Sequence, residues 1–324
     1  LAYFLVLSGF ALLIAGGEIM VRGAVAIARH LDVPPIVVGL TIVAIGTSAP
    51  ELSVSIDAVL RGAPDIATGN VVGSNLSNIL LVLGIAALIK PIKVVPQLIH
   101  RDGMMMVASA ALLTAMAQTG SIGFVTGIAM LGTYVGYLGY CYWVEQVKGD
   151  PSQELTLAEV DEHSGAPQKL IFSVGMFLIG LAGVIWGADL LVQGAVTLAR
   201  DFGLSEAVIA LSVVAIGTSL PELAVSVIAA FKGRSDVAVG NIIGSNISNV
   251  LFILGTTSMV APIDFAVQIA RFDSWFMLLI TVLLIPVLVT GKRISRREAT
   301  VFISIYVIYI IAIFKGWPAA LVGM

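Results

Sequence analysis

Charge is scarce in this chain. Of its 324 residues 11% are Asp, Glu, Lys or Arg against 58% apolar, and the mean hydropathy is +1.04. That excludes an ordinary water-soluble domain, where about a quarter of residues are charged. The net charge of −3, with its basic residues set between apolar runs, offers no surface for nucleic acid. Cysteine is nearly absent: Cys141 has no partner for an internal disulfide and sits in an apolar, Tyr-rich stretch as a packing residue. Histidine is sparse too, and His30, His100 and His163 fall in connections without ligand spacing. A charged leader and a small-residue cleavage pattern are missing from the first apolar run, which therefore reads as a helix and not as a signal peptide.

What the chain has is hydrophobic length. Apolar runs fall at about 2–28, 35–60, 66–89, 103–118, 121–144, 170–199, 206–231, 237–260, 272–291 and 299–316. They predict an all-α polytopic membrane protein of ten transmembrane helices. One polar stretch, 145–168, carries Asp150, Glu154, Glu159, Asp161 and Glu162 and divides the chain near its middle.

The two sides of that linker repeat each other. AIGTSAPELSVS at 44–55 returns as AIGTSLPELAVS at 215–226, and GNVVGSNLSN at 69–78 returns as GNIIGSNISN at 240–249. The offset of 171 also relates Gly23 to Gly194, Arg29 to Arg200 and Asp102 to Asp273. A register held from the first helix past the third means duplication. Five helices per unit is odd, so the second copy enters the membrane from the opposite side, and the halves are inverted repeats. The predicted organisation is a first five-helix repeat at 1–144 with motifs at 39–55 and 69–84, an acidic linker at 145–168, and a second repeat at 169–324 with motifs at 210–226 and 240–255. With the N-terminus outside, twelve Lys and Arg lie in inside connections and four outside. The positive-inside bias therefore makes the linker cytoplasmic, in a cell (inner) membrane protein.

Both motifs place a carboxylate, Glu51 or Glu222, beside a helix-breaking proline. A charge at the bilayer centre costs roughly 2.5 to 3.5 kcal/mol on insertion scales, and an interior proline costs about 3 kcal/mol. No lysine or arginine lies in the helix cores to neutralise the two acids. Pro50 has no N–H for the carbonyl of Gly46, and Pro221 has none for Gly217. In lipid such carbonyls need another partner, and a cation is suitable. Thr47, Ser48, Thr218 and Ser219 add hydroxyls. Carboxylate, carbonyl and hydroxyl oxygens form a hard-oxygen site suited to Ca²⁺, Na⁺ or Mg²⁺. On the partner motif, Gly69 and Gly73, like Gly240 and Gly244, share a helical face and let another backbone approach. Ser74 with Asn78, and Ser245 with Asn249, continue that face.

Other polar residues read as structural. Ser55, Ser77, Ser226 and Ser248 suit hydrogen bonds between helices, and Glu18 can pair with Arg22 four residues on, with its repeat mate Asp189 similar. Asp57 has no acidic counterpart, because position 228 is Ile. Met104 to Met106 is packing or lipid-facing surface, and the sequons at Asn75 and Asn246 lie in apolar runs, away from any glycosylation machinery.

On GTSAPE, GTSLPE and the two GN motifs, the chain resembles the cation/Ca²⁺ exchanger superfamily, in its prokaryotic sodium/calcium exchanger branch, over essentially all ten helices. The resemblance implies that two alpha repeats surround four cation sites at mid-membrane. It assigns Ca²⁺ to Glu51 and Glu222 with the carbonyls of Thr47 and Thr218. It assigns Na⁺ to Ala44, Ser48 and Ser245 on one side and to Ala215, Ser219 and Ser74 on the other, sharing the glutamates. Asn78 and Asn249 border the central site. Several relatives, potassium-dependent exchangers among them, have aspartate where this chain has Asn249, so potassium co-transport is not expected.

Two carboxylates carry a charge of −2, which one Ca²⁺ neutralises; Ca²⁺ together with several Na⁺ would leave uncompensated charge in a low-dielectric pocket. The ions must alternate. Three Na⁺ per Ca²⁺, which only the resemblance implies, would make exchange electrogenic. The leading expectation is thus an Na⁺/Ca²⁺ antiporter, not an enzyme, working by alternating access without a cofactor. Its partners are Ca²⁺, Na⁺ and membrane lipid, and a monomer is the expected assembly. The alternatives are a Ca²⁺/H⁺ or other divalent-cation antiporter and an intramembrane acid/base enzyme, for which no nucleophile–base pair is present. A channel fits poorly, since a sealed pocket with two fixed charges binds too tightly for rapid conduction. The glycine-rich first and sixth helices are the candidate sliding elements.

Overall fold

A computed structural model describes residues 2–94, 99–148, 169–202, 217–291 and 293–317. The linker at 149–168 and residues 203–216, which include Ala215, lie outside the described residues. Among the described residues, ten helical segments follow in order. They are α1 (Ala2–His30), α2 in two pieces (Pro35–Thr47 and Ala49–Leu60), α3 (Pro64–Ile89), α4 (99–119) and α5 (Phe124–Lys148). The second series is α6 (Leu170–Asp201), α7 (Leu220–Phe231), α8 (Ser235–Val260), α9 (269–291) and α10 (Arg296–Phe314). Seven are long and apolar enough to cross a membrane, and the bent α2 makes an eighth. The remaining two are α4, which begins with the π-helical turn Ile99–Gly103, and α7, of 12 residues.

Four two-residue strands establish the inversion. β1 (Ile92–Lys93), after α3, pairs antiparallel with β4 (Arg293–Ile294), after α9. β2 (Ser121–Ile122), after α4, pairs with β3 (Ile263–Asp264), after α8. β1 and β3 are repeat mates at the 171 offset, yet they lie at opposite ends of the bundle, because α4 separates β1 from β2 and β2 pairs with β3. The fold is therefore two five-helix repeats of opposite orientation, each donating a strand to the other.

α1 and α6 cross antiparallel, with Gly9 facing Gly187, Gly16 facing Gly180, and Gly23 facing Phe177. Glycine recurs every seven residues on both helices, and the requirement is steric: a Cβ on Gly180 would stand 2.3 Å from the backbone nitrogen of Met20. This pair has many lipid-facing residues, whereas α3 and α8 are largely buried and form the centre. Both central helices contain a π-helical turn that starts at a motif asparagine, Asn78–Val82 and Asn249–Leu254, a feature often found at functional sites. Tyr137 of α5 donates to Asp102 at 2.7 Å and Tyr309 of α10 donates to Asp273 at 3.0 Å, so the last two helices of each repeat are fastened alike.

Candidate cation site

The helix break in α2 follows from its proline. Ser48 leaves helical geometry at φ −83° and ψ 8°, and the second piece starts at Ala49 with Pro50 in its first turn, where a missing N–H costs nothing. The two pieces diverge by 42°. Ser219 has φ −87° and ψ 5°, and α7 starts after it with Pro221 in the same place. Each restart puts a glutamate in the first turn of a half-helix, where the positive end of the helix dipole favours a carboxylate. The facing end of the α2 break offers carbonyl oxygens.

Glu51 and Glu222 are 1% and 0% exposed. Ser48 donates to Glu222 at 3.1 Å, joining the two repeats across the break. Ser74 lies against the Glu51 carboxylate. The other buried oxygens of the set lack hydrogen-bond donors: Oε2 of Glu51 and Glu222, Oγ of Ser219 and Ser245, and Oδ1 of Asn78 and Asn249. A buried acceptor left unsatisfied costs about 1 to 3 kcal/mol, and more when it is charged. Oxygens of this kind, contributed by both repeats, are of the type that suits a hard cation. Among the described residues, no cluster of three or more His, Cys, Asp or Glu occurs, so the carboxylates act as a pair.

The remaining motif residues are placed as follows. Ala44 is buried against Gly244, where an added Cβ would stand 2.4 Å from the carbonyl oxygen of Leu40. The close approach anticipated for Gly240 and Gly244 is thus present on α2. For Gly69 and Gly73 the corresponding stretch of chain falls at 207–215, outside the described residues. Thr47 is fully buried and donates to Asn241 at 3.2 Å, while Thr218 is half-buried. Ser55 and Ser226 accept hydrogen bonds from Asn70 at 3.1 Å and Asn241 at 3.0 Å, as structural hydroxyls do.

Glu18 pairs with Arg22 as expected, but Lys232 of the α7 end joins it at 2.9 Å. Asp189 does not repeat the pattern. Gln193 stands where Arg22's mate would be, so Asp189 accepts a neutral hydrogen bond at 2.8 Å. The motif reading missed Asn70 and Asn241, which brace the half-helices. Asn70 also donates to the Glu51 backbone carbonyl at 3.0 Å. Their recurrence in the GN motifs was the available signal.

Comparison with known proteins agrees with this fold. The family model described as sodium/calcium exchanger protein matches residues 1–143 and 172–315. A putative antiporter, CaxA, of Alkalimonas amylolytica is 40% identical over 319 residues, covering 97% of this chain and 99% of its own. The sodium/calcium exchanger MaX1 of Methanosarcina acetivorans is 32% identical over 343 residues, covering 96% and 98%. The solved sodium-calcium exchanger NCX_Mj, soaked with 2.5 mM Na⁺ and 0.1 mM Ca²⁺, superposes with a TM-score of 0.81 at 32% identity over 96% of this chain and 98% of its own.

Proposed function

Because the chain belongs to the sodium/calcium exchanger protein family, we propose that it is a secondary antiporter that exchanges Na⁺ for Ca²⁺ by alternating access. The family is one of membrane transporters, not enzymes. The observation that carries the finer reading is the pair of buried carboxylates, one from each inverted repeat, among unpartnered neutral oxygens. Glu51 and Glu222, with the carbonyls of Thr47 and Thr218, bind Ca²⁺. Ala44, Ser48 and Ser245, and in mirror image Ala215, Ser219 and Ser74, bind Na⁺ with the same two glutamates. Asn78 and Asn249 border the centre. One Ca²⁺ balances the charge of −2 and three Na⁺ overshoot it by one, so the cycle is electrogenic. No cofactor takes part. The N-terminus is outside and the linker cytoplasmic, in the cell (inner) membrane.

The test is purified protein in sealed vesicles loaded with Na⁺. Radiolabelled Ca²⁺ should enter when Na⁺ flows out, in K⁺-free buffer, at a rate that responds to a clamped membrane potential. Uptake driven by a pH gradient alone would replace Na⁺ by H⁺ as the coupling ion. A strict K⁺ requirement would overturn the reading of Asn249.

A further inference from the structure

Asn75 and its repeat mate Asn246 occupy the centre of the bundle and do different things. The amide nitrogen of Asn75 faces two groups that can only accept: the backbone carbonyl of Asn246 at 3.3 Å and the thioether of Met277 at 3.7 Å. That leaves no freedom to flip the amide, so its oxygen points the other way. There it accepts from the amide nitrogen of Asn249 at 3.0 Å. The orientation of Asn249 is fixed in turn. Its oxygen, buried and unpartnered, is turned away from Asn75, on the helical face that Ser245 occupies one turn earlier.

The mirror relay is missing. Asn246 donates to Ile242 in its own helix at 2.8 Å, and its oxygen is unpartnered, as is that of Asn78. All four side chains are at most 3% exposed.

We propose that Asn75 is a positioning residue for cation binding: through a backbone-anchored amide relay it presents the oxygen of Asn249 to the ion, a relay that Asn78 lacks. This rests on the assignment of Asn249 to the central site, and the experiment separates the two. The concentration of radiolabelled Ca²⁺ that half-saturates Na⁺-driven uptake is measured for Asn75→Ala, Asn75→Leu, Asn249→Ala, the Asn75→Ala/Asn249→Ala double variant and Asn246→Ala. Leu keeps the branched heavy-atom skeleton of Asn without its amide, so a second variant without the relay is at hand if Ala disturbs packing.

Loss of one buried hydrogen bond corresponds to about a 3- to 10-fold change. Asn75→Ala or Asn75→Leu should raise the half-saturating concentration by that factor, and Asn249→Ala by at least as much. The double variant should be no worse than Asn249→Ala, and Asn246→Ala should stay within about two-fold. Multiplying effects in the double variant would overturn the relay while keeping Asn249 as a ligand. An inert Asn249→Ala would overturn the assignment and the relay together. An Asn246→Ala effect equal to that of Asn75→Ala would show general packing loss and also overturn the proposal.

Discussion

Lys232, at the end of α7, reaches across to Glu18 of α1 at 2.9 Å, whereas its mate Arg61, at the end of α2, turns back onto Asp57 of its own helix at 2.7 Å. The same inequality appears in the pocket. Glu222 holds Ser48 of the opposite repeat at 3.1 Å, but the mate of that hydroxyl, Ser219, has no hydrogen-bond partner. Two halves built from equivalent groups thus bond those groups differently. A strictly two-fold molecule would offer its pocket equally to both membrane faces, which would leak. In the proposed cycle, breaking the symmetry lets one face close while the other opens. Under the proposed alternating access, the opposite state exchanges these partners between the halves.

The largest test of this comparison is at the glutamates. Removing the charge of one member of a buried ionic constellation costs about 3 kcal/mol or more. Glu51→Gln and Glu222→Gln should therefore each lower Na⁺-driven uptake of radiolabelled Ca²⁺ by more than about 100-fold while inserting normally. Equal losses are expected, because both acids are proposed to bind the same ion whatever their present hydrogen bonds. Substantial uptake by either variant would break the pairing.

A smaller effect is expected at the hydroxyls. Ser48→Ala and Ser219→Ala should each raise the Na⁺ concentration needed to displace bound Ca²⁺ by about 3- to 10-fold. Ca²⁺ binding without Na⁺ should change much less, since the carboxylates dominate it. Equal weakening of both would merge the separate sites into one.

The smallest effect concerns the half-exposed ion pair at the α7 end, of a kind worth about 0.2 to 1 kcal/mol. With spin labels at positions 30 and 233, Glu18→Gln should shift the population toward longer α1–α7 distances by about two- to five-fold. Asp189→Asn, which disrupts no ion pair among the described residues, should leave that distribution unchanged.

Much of this was legible before any coordinates. Hydropathy revealed the spans, and the constant offset revealed the duplication. Glu51 and Glu222 stood out because charge in lipid demands a reason. Groups whose meaning depends on a distant partner were opaque. Asn75 looked like an idle sequon until its contact with Asn246, 171 residues away, was visible. Lys232 carried no sign in the sequence of its partner Glu18, 214 residues earlier. Such contacts leave no periodic trace in the chain, because they are made across the bundle by single side chains. The exchanged strands were hidden for the same reason, being two residues long.

Those strands bear on assembly. β1 finds its mate only in β4 and β2 only in β3, so a solitary five-helix unit would carry two unsatisfied strands and one carboxylate of the pair. Such a unit on its own would need a second copy inserted in the opposite direction to complete both strand pairs and the carboxylate pair, and one chain that carries both orientations supplies the two in fixed proportion.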